Sequence, residues 1–417
     1  MRRTVPPTAA SIVPTDLLHG LFGLLSGGKN YQKRLERELR DRFGVKHAFF
    51  VSSGKAALAL ILLALRDQSK KSQVVIPAYT CFSVPSAVAK AGLEIVPCDI
   101  DPMTFDFDYD CLARRVTENT LCVLAVHLFG IPADLARIKK ICMETNAFIV
   151  EDAAQAMGGQ LNGKMLGTLG DVGFYSLGRG KNITCGSAGV VVTNSDVMAA
   201  ALTRYYAELE ECSLVEDLKN FLQLALMSLF IRPFFYWVPA AMPFLKLGET
   251  FFYKDFPLRK LSARRAALLR NWRDRLDESN RVRAQNSLEL LNDMGKGEAN
   301  GRGIPYLRLP TLLQDRQTRE LIYASSQAKG LGLSLMYPTP VNEIEEIKTA
   351  FSGQVFSGAK RVAETMLTLP THHLLNATDK KAIRDLLSSA ASLEAQGALT
   401  SVSETVYNTA LTTRKSN

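Results

Sequence analysis

Residues 148–182 read FIVEDAAQAMGGQLNGKMLGTLGDVGFYSLGRGKN, and this stretch decides the fold. It begins with a short apolar run that ends in an acidic pair, FIVED at 148–152. A second run, at 172–176, leads into a glycine-rich loop that contains Lys181. Short, continuous apolar runs are typical of strands that are buried on both faces of a sheet. The stretch therefore predicts two buried strands with polar residues at their carboxyl ends.

Working outward, five more apolar, β-branched runs lie between residues 45 and 195, separated by segments of helical length. The seven runs occupy residues 49–51, 74–76, 93–96, 122–126, 148–150, 172–176 and 190–193. Strands that alternate with helices indicate an α/β fold with a parallel or mixed sheet covered on both faces. Ligands bind such sheets at the carboxyl ends of the strands. We predict a large domain over residues 1–255 that contains this sheet.

The C-terminal part predicts a second, smaller unit. Residues 256–295 combine basic and apolar residues at helical spacing and predict one long amphipathic helix that bridges the two domains. Residues 256–388 together predict a small α+β domain with strands near 306–309 and 333–337. From about Ser389 to residue 417 the chain is rich in Ser, Thr and Ala, which is typical of a flexible tail.

The composition is that of a folded globular chain. Of 417 residues, 47% are hydrophobic and 22% are charged, which excludes disordered and collagen-like classes. Fifty Lys and Arg against 41 Asp and Glu give a net charge of +9, only partly concentrated around 259–283. This mild excess favours anionic small molecules or an acidic membrane surface over a nucleic-acid groove.

Cysteine and histidine usage predicts no metal site. The seven cysteines are odd in number and include no C-x-x-C pair, which argues against a zinc site and a disulfide framework. They fit a reducing compartment, and the first residues lack the apolar core of a secretory signal, so we expect a cytoplasmic protein. His372 and His373 have no companion ligands and are predicted to be an exposed loop pair.

Residues 217–254 are unusual because the stretches 220–231 and 233–245 carry no charge. Neither reaches the roughly 20 residues that span a bilayer, and Arg232 separates them. Two interpretations stay open. One is a membrane-interfacial insertion anchored by Tyr236 and Trp237, with peripheral membrane association of the protein. The other is a hydrophobic interface between domains or subunits.

Three segments contain candidate site residues. Residues 51–58 (VSSGKAAL) predict a strand, a tight turn and a helix start, where main-chain N–H groups bind anions and Gly54 lets a phosphate approach. The same pattern occurs in ordinary turns. Asp152 could hold a proton on a heteroaromatic nitrogen or only cap a helix. Lys181 could reach a ligand in the cleft or be a solvated surface charge.

In their order and content, these segments resemble the DegT and StrS family of pyridoxal 5'-phosphate (PLP) sugar aminotransferases. The family pattern is S-G-T-x-A-L, then E-D-A-A-Q, G-D-x-x-x-F-S-F and K-N. The resemblance starts near residue 27, reappears at 359–370 and covers most of the chain outside 217–254 and the tail. It implies fold type I, the aspartate-aminotransferase-like fold, with a large, mostly parallel sheet covered by helices and a smaller C-terminal α+β domain. It also implies a homodimer with active sites near the subunit interface.

The resemblance implies roles for the matching residues. Lys181 would bind the PLP aldehyde and carry a proton to and from the substrate, and Asp152 would keep the pyridinium nitrogen protonated. Gln155 would contact the phenolic side of the ring. The phosphate would be held by residues that follow two strands: Ser53, Gly54, Lys55 and Ser176. Of these, Lys55 stands where the family has Thr.

The implied activity is a PLP-dependent aminotransferase for a keto sugar linked to a nucleotide, with glutamate as amino donor, in cell-surface polysaccharide or amino-sugar biosynthesis. Three departures accompany it: Cys81 replaces a stacking aromatic residue, SAG at 187–189 replaces E-G-G, and N-x-R has no clear match near 257–261. Two alternatives stay open. One is a PLP-dependent lyase or dehydratase, a branch that replaces the lysine with His. The other is a membrane-associated PLP-fold binding or scaffold protein without transaminase activity.

Overall fold

The computed structural model describes residues 3–10, 12–294 and 303–395, and a single large sheet dominates it. Seven strands form this sheet: β1 (His47–Val51), β2 (Gln73–Pro77), β3 (Glu94–Cys98), β4 (Thr120–Val126), β5 (Phe148–Asp152), β8 (Val172–Ser176) and β9 (Gly189–Thr193). A short hairpin, β6 (Gln160–Leu161) and β7 (Lys164–Met165), lies outside it. The seven predicted strands are all present, which confirms that short apolar runs here are buried strands.

The strand order is β1-β9-β8-β5-β4-β2-β3. Only β9 runs antiparallel to its neighbours, so six of the seven strands point in the same direction. The carboxyl ends of β1, β2, β4, β5 and β8 therefore meet at one edge. Polar residues that follow these five strands are brought together there.

Helices cover the sheet and connect its strands. Those up to residue 230 are α1 (Pro14–Ser26), α2 (Lys29–Phe43), α3 (Gly54–Arg66), α4 (Ser83–Lys90), α5 (Tyr109–Arg115), α6 (Leu135–Cys142), α7 (Asp196–Glu208) and α8 (Leu214–Phe230). Then follow α9 (Trp237–Ala240), α10 (Ala263–Ala266), α11 (Trp272–Asp293), α12 (Arg316–Lys329), α13 (Ser357–Thr365) and α14 (Ala377–Ala395). Short 3-10 turns occupy Leu128–Gly130, Pro243–Leu245, Ala267–Leu269, Val341–Glu343 and Lys348–Phe351.

The smaller unit has a two-stranded antiparallel sheet, β10 (Leu309–Leu312) with β11 (Met366–Leu369), packed with α12 to α14. The strand predicted near 306–309 begins later, at Leu309. The strand predicted at 333–337 is wrong, because only Ser334 pairs there, in an isolated bridge to Thr368. These runs lie at the edge of a two-stranded sheet, where few ladder hydrogen bonds stabilise a strand.

The long bridging helix predicted over 256–295 is also wrong. Residues 256–262 are not helical, α10 is a single turn, and the continuous helix α11 covers only Trp272–Asp293. The break follows from burial: Arg265 and Arg275 turn inward to ion pairs with Asp217 and Asp16 instead of lying on one solvated face. The predicted tail starts too early as well, because α14 continues to Ala395. The rest of the tail lies outside the described residues.

Residues 3–10 pack against the smaller unit, although they were predicted within the large domain. Arg3 pairs with Asp379 at 2.8 Å, and Val5 donates its N–H to the carbonyl of Gly330 at 2.8 Å. His372 Nε2 donates to the carbonyl of Pro6 at 2.8 Å. The prediction of an exposed histidine pair is therefore wrong for His372, which is buried. Burial lowers its pKa to about 3, so this imidazole is neutral.

Residues 217–254 form most of α8, the short helix α9 and an irregular surface segment. In the part of the chain that the structure describes, no helix has the length and apolar character needed to cross a membrane. Tyr236 is not the exposed anchor that the membrane interpretation requires. It is half-buried and interacts electrostatically with Arg308.

Candidate active site

A cavity lies at the carboxyl edge of the large sheet, closed on one side by Tyr337 from the smaller unit. Six of the seven predicted site residues line it: Gly54, Lys55, Asp152, Gln155, Ser176 and Lys181. The seventh, Ser53, is the residue immediately before the cavity wall. The structure thus brings together residues that follow three different strands, as the topology of a mostly parallel sheet requires.

One wall is the N-terminus of α3. Ser53 caps the helix by accepting a hydrogen bond from the N–H of Ala56 at 3.1 Å. Gly54 touches Ser176 so closely that a Cβ on Gly54 would lie 2.8 Å from the Cβ of Ser176. A Cβ on Gly189 would lie 2.3 Å from the carbonyl oxygen of Ser53. Only glycine fits at both positions, and the free N–H groups of the first helical turn can bind an anion.

Lys55 adds a cation to this wall. Its Nζ lies 4.3 Å from the ring centroid of Phe256 and 5.2 Å from that of Tyr253. Burial lowers the pKa of Lys55, and the nearby thiol of Cys81 acts in the opposite direction. Aromatic faces stabilise an ammonium without neutralising it. The charge therefore remains available to an anion in the cavity.

Lys181 and Asp152 both line the cavity and interact electrostatically. Burial lowers the pKa of Lys181, an effect opposed by Cys81 and Asp152 and reinforced by Arg308. Burial raises the pKa of Asp152, although the N–H of Ala154 and the charge of Lys181 oppose it. Both groups thus have environments that disfavour their charged forms, a property found at reactive centres.

Gln155 connects the large domain to the smaller unit. Its Oε1 accepts the N–H of Phe129 at 3.2 Å, and its Nε2 donates to the hydroxyl of Tyr337 at 2.9 Å. Tyr337 packs against Tyr79, with ring centroids 5.3 Å apart, and burial raises its pKa well above 10. A neutral phenol and an amide therefore face the cavity in fixed orientations.

Sequence reasoning missed His127, which follows β4 directly and lines the cavity. Its Nδ1 accepts the N–H of Ala133 at 3.1 Å, so Nε2 carries the proton that it donates to Glu151 at 2.8 Å. Burial raises the pKa of Glu151, but hydrogen bonds from His127, Gly170 and Gly167 outweigh it and leave the pKa low. The signal for His127 was its position at the carboxyl end of a strand, the same position that made Asp152 a candidate.

Arg308 is a second missed residue. Its Nη1 contacts Ser334 Oγ at 3.0 Å and Met336 Sδ at 3.2 Å, and its charge acts on Lys181. Within residues 3–10, 12–294 and 303–395, no carboxylate lies within ion-pair distance of this guanidinium. No local sequence pattern distinguishes Arg308 from other arginines, because the topology of the smaller unit brings its guanidinium close to Lys181.

Comparison with known proteins agrees with this arrangement. Residues 22–223 match the sequence profile of the DegT/DnrJ/EryC1/StrS aminotransferase family. The GDP-perosamine synthase of Vibrio cholerae is 33% identical over 176 residues, which are 42% of this chain and 48% of that protein. The chain thus spans about half the length of the curated relatives it matches.

Solved structures resemble the chain over almost its whole length. The sugar aminotransferase CalS13 from Micromonospora echinospora superposes with a TM-score of 0.72 at 22% identity, covering 92% of this chain and 99% of that one. An E. coli GDP-4-keto-6-deoxy-D-mannose-3-dehydratase with bound hydrated PLP gives 0.72 at 19% identity, covering 93% and 100%. These identities establish the fold alone. The superpositions confirm the predicted fold class, fold type I.

Proposed function

Because residues 22–223 match the sequence profile of the DegT/DnrJ/EryC1/StrS aminotransferase family, we propose that the chain is a cytoplasmic, PLP-dependent aminotransferase. Its acceptor is a keto sugar linked to a nucleotide, its donor is glutamate, and its product enters polysaccharide or amino-sugar biosynthesis. The observation that carries the proposal is Lys181, an amine in the cavity whose pKa is lowered by burial. Only an uncharged amine can bond to a carbonyl, and the lowered pKa increases that fraction at neutral pH.

The residues at the site fit PLP, which has a phosphate, an aldehyde and a pyridine nitrogen. The N-terminus of α3 and Lys55 offer N–H groups and a positive charge to the phosphate. Lys181 offers an amine to the aldehyde. Asp152 is 8% exposed, and one of its oxygens, Oδ2, has no hydrogen-bond partner among the described residues. A protonated ring nitrogen would offset the cost of burying this carboxylate.

PLP, when bound, supplies an aldehyde that reacts with amines and a ring that accepts electrons from the substrate carbon. Lys181 would hold the cofactor through Nζ and, when released, would move a proton at Nζ. Asp152 would hold the proton on the ring nitrogen. Gln155 and Tyr337, fixed by their mutual hydrogen bond, would orient the ring from the other side.

Arg308 supports an amino-acid donor. A guanidinium binds a carboxylate through two parallel hydrogen bonds. Among the described residues, the hydrogen bonds of Arg308 go to a hydroxyl and a thioether. Its charge also acts on Lys181, the residue at which the donor must react. We therefore assign a carboxylate of glutamate to Arg308.

The experiment is to add PLP to the purified chain, record the absorbance of the lysine-bound cofactor, and then add glutamate. An aminotransferase bleaches this band and releases the keto acid of glutamate. A scaffold protein keeps the band after glutamate is added. Borohydride reduction and peptide mass spectrometry should place the cofactor on Lys181. Lys181→Ala should abolish labelling, and Lys55→Thr should retain it.

We further propose a homodimer that forms through an apolar face on α1 and α8, defined by the exposed side chains of these two packed helices. The face consists of Leu18, Leu21, Phe22 and Leu25 on α1 and of Leu218, Leu222, Leu226 and Leu229 on α8. Each set recurs at helical spacing, so each helix presents one apolar stripe to water. Contiguous apolar stripes of this kind are typical of binding surfaces.

The charge distribution favours a second copy of the chain, and not a lipid surface, as the partner of this apolar face. Helices that lie in a membrane interface are rich in Lys and Arg, whereas α1 has neither and α8 has only Lys219. Two arginines of the basic stretch 259–283 are used internally. Arg265 and Arg275 are buried in ion pairs with Asp217 and Asp16, at 2.8 and 2.9 Å.

Light scattering and flotation with acidic liposomes distinguish the two partners. A dimer in solution that stays out of the liposome fraction supports the proposal. A monomer that floats with the liposomes contradicts the proposed dimer and favours the membrane-interfacial interpretation of residues 217–254.

A further inference from the structure

Two cysteines outside the candidate site lie together where the edge strand of the large sheet turns back into a helix. Cys98 is the last residue of β3, and Cys111 lies in the first turn of α5. The intervening chain folds back on itself, since Asp108 donates its main-chain N–H to the carbonyl of Asp99 at 2.9 Å. This turn places both residues against Asp108: Cys98 Sγ lies 3.9 Å from its carbonyl oxygen, and its carboxylate accepts the N–H of Cys111 at 2.8 Å. The two thiols are therefore neighbours, close enough for a hydrogen bond from Cys98 to Cys111.

The surroundings favour the thiolate of Cys111. The hydrogen bond from Cys98, a main-chain contact with Asp99 and the guanidinium of Arg115 outweigh partial burial and lower the pKa of Cys111 to about 6. Cys98 is completely buried, and the shared hydrogen bond together with burial raises its pKa. Oxidants attack thiolates that solvent can reach. The half-exposed Cys111 is thus positioned to react first, with Cys98 directly behind it.

We propose that Cys98 and Cys111 are a redox-sensitive pair that a peroxide converts into an intramolecular disulfide. The Cys111 thiolate attacks one peroxide oxygen, the O–O bond breaks, and the departing hydroxide becomes water with the proton that Cys111 had released. Cys111 is then a sulfenic acid. The sulfur of Cys98 attacks the sulfur of Cys111, the S–O bond breaks, and the hydroxide leaves with the Cys98 proton as a second water. The two thiols lose two electrons, the peroxide gains them, and a thiol reductant reverses the change.

The pair lies at the contact between the large sheet and the smaller unit. The carboxylate of Asp99, the residue next to Cys98, accepts the N–H groups of Gly358 at 3.0 Å and Ala359 at 2.8 Å, in the first turn of α13. Arg115 donates to the side chain of Gln354 at 3.1 Å. When the disulfide forms, Arg115 loses its thiolate partner, and the chain from Cys98 to Cys111, which contains Asp99, is closed into a covalent loop. Oxidation therefore changes the surroundings of the contacts that attach α13 to the large sheet.

A second cysteine pair provides an internal control. Cys122 in β4 and Cys142 at the end of α6 are close enough to interact, but both are buried in apolar surroundings. Burial raises the pKa of Cys122 and raises that of Cys142 to about 11. The same peroxide should leave these two as thiols, since neither forms a thiolate near neutral pH.

The experiment treats the reduced full-length chain with hydrogen peroxide, alkylates the remaining thiols after denaturation, and identifies linked peptides by mass spectrometry. We expect Cys98 and Cys111 to lose alkylation together and to regain it with dithiothreitol, while Cys122 and Cys142 stay alkylated throughout. Cys98→Ala should stop Cys111 at the sulfenic acid, and Cys111→Ser should protect Cys98. Disulfides between chains, equal oxidation of the control pair, or an unreactive Cys111 would each overturn the proposal.

Alkylation of the native wild-type chain keeps the proposal testable if a variant fails to fold. Cys111 should be alkylated first, with a rate that reaches half its maximum near pH 6. Arg115→Ala should slow this alkylation at pH 6 by roughly fivefold, which corresponds to a pKa rise of about one unit. A half-maximum above pH 8 in the wild type, or no change in the Arg115 variant, contradicts the assigned roles.

Discussion

Helices α3 and α8 are both rich in leucine, yet they bury opposite kinds of side chain. In α3, nine of 13 residues are buried, and all nine are apolar. In α8, three of 17 are buried, and two of them are polar: Asp217 and Asn220. Five of the six leucines of α8 instead face outward, and only Leu224 is buried. A high leucine content therefore does not tell which side of a helix packs inward. A helix held by polar contacts leaves its apolar side free for a partner.

The two helices also meet the candidate site differently. The N-terminus of α3 is a wall of the cavity. The inner side of α8 holds the loop that follows Lys181, since Asn220 donates to the carbonyl of Cys185 at 2.8 Å. A Cβ on Gly186 would lie 2.1 Å from Asn220 Oδ1, so this contact has no room for a larger residue. The apolar face and the loop of Lys181 are thus opposite sides of one helix.

The largest effect is expected in the cavity that α3 helps to form. Asp152→Asn keeps the size of the side chain but cannot hold a positive charge on a ring nitrogen. We expect PLP to remain bound and the turnover number for glutamate to fall by roughly 10²- to 10⁴-fold. Cofactor absorbance and steady-state kinetics measure the two effects separately. Unchanged turnover would show that Asp152 acts only as a cap for the N–H of Ala154.

The next largest effect is expected on the inner side of α8. Asp217→Ala leaves the buried guanidinium of Arg265 without its carboxylate, and loss of one partner of a buried pair costs about 3–5 kcal/mol. Denaturant unfolding monitored by circular dichroism should show this loss. The exposed pair of Glu278 with Arg281 is the control, and Glu278→Ala should leave the unfolding free energy unchanged within the error of the measurement. Equal effects of both variants would contradict polar anchoring of α8.

A smaller effect is expected on the outer side of α8. The double substitution Leu222→Glu and Leu226→Glu removes roughly 3 kcal/mol of apolar burial from a dimer and should raise its dissociation constant about 100-fold. Analytical ultracentrifugation measures this constant. Val355, which is 80% exposed on the smaller unit, provides the control, and Val355→Glu should have no effect. If the double variant dimerises like the wild type, the face has another partner.

The smallest effect is expected at Lys55, beside the start of α3. Lys55→Thr removes an ammonium that aromatic rings already stabilise, and we expect the dissociation constant for PLP to rise by no more than about tenfold. The wild-type affinity should fall with added salt more steeply than that of the variant. Equal salt dependence in both proteins would mean that Lys55 does not contact the phosphate.

The sheet could be predicted from the sequence because each strand is a short apolar run buried on both faces. Position after a strand likewise indicated Asp152, and that rule extends to His127. The burial of arginines within residues 256–295 was harder to predict. The sequence does not distinguish a buried arginine from a solvated one. Arg275 is buried because it forms an ion pair with Asp16 of α1. The opposite charge lies more than 250 positions away, so no local pattern could show it.

The same limit explains why Arg308 and Tyr337 were missed. Both come from the smaller unit, and only tertiary packing brings them to residues that follow the strands of the large sheet. The orientation of the apolar stripe on α8 could not be predicted either. Its uncharged run was noticed, but the polar contacts of Asp217 and Asn220 decide which side faces inward, and those contacts belong to the fold.

The packing of residues 3–10 against the smaller unit has a consequence for biosynthesis. Pro6 and His372, joined by a hydrogen bond, are 366 positions apart. At about 5–20 residues per second, the ribosome needs roughly 20–75 s to make the chain between them. Residues 3–10 are therefore made long before the residues of the smaller unit that they contact. During synthesis, all seven strands of the large sheet are made before the hydrogen bond between Pro6 and His372 can form.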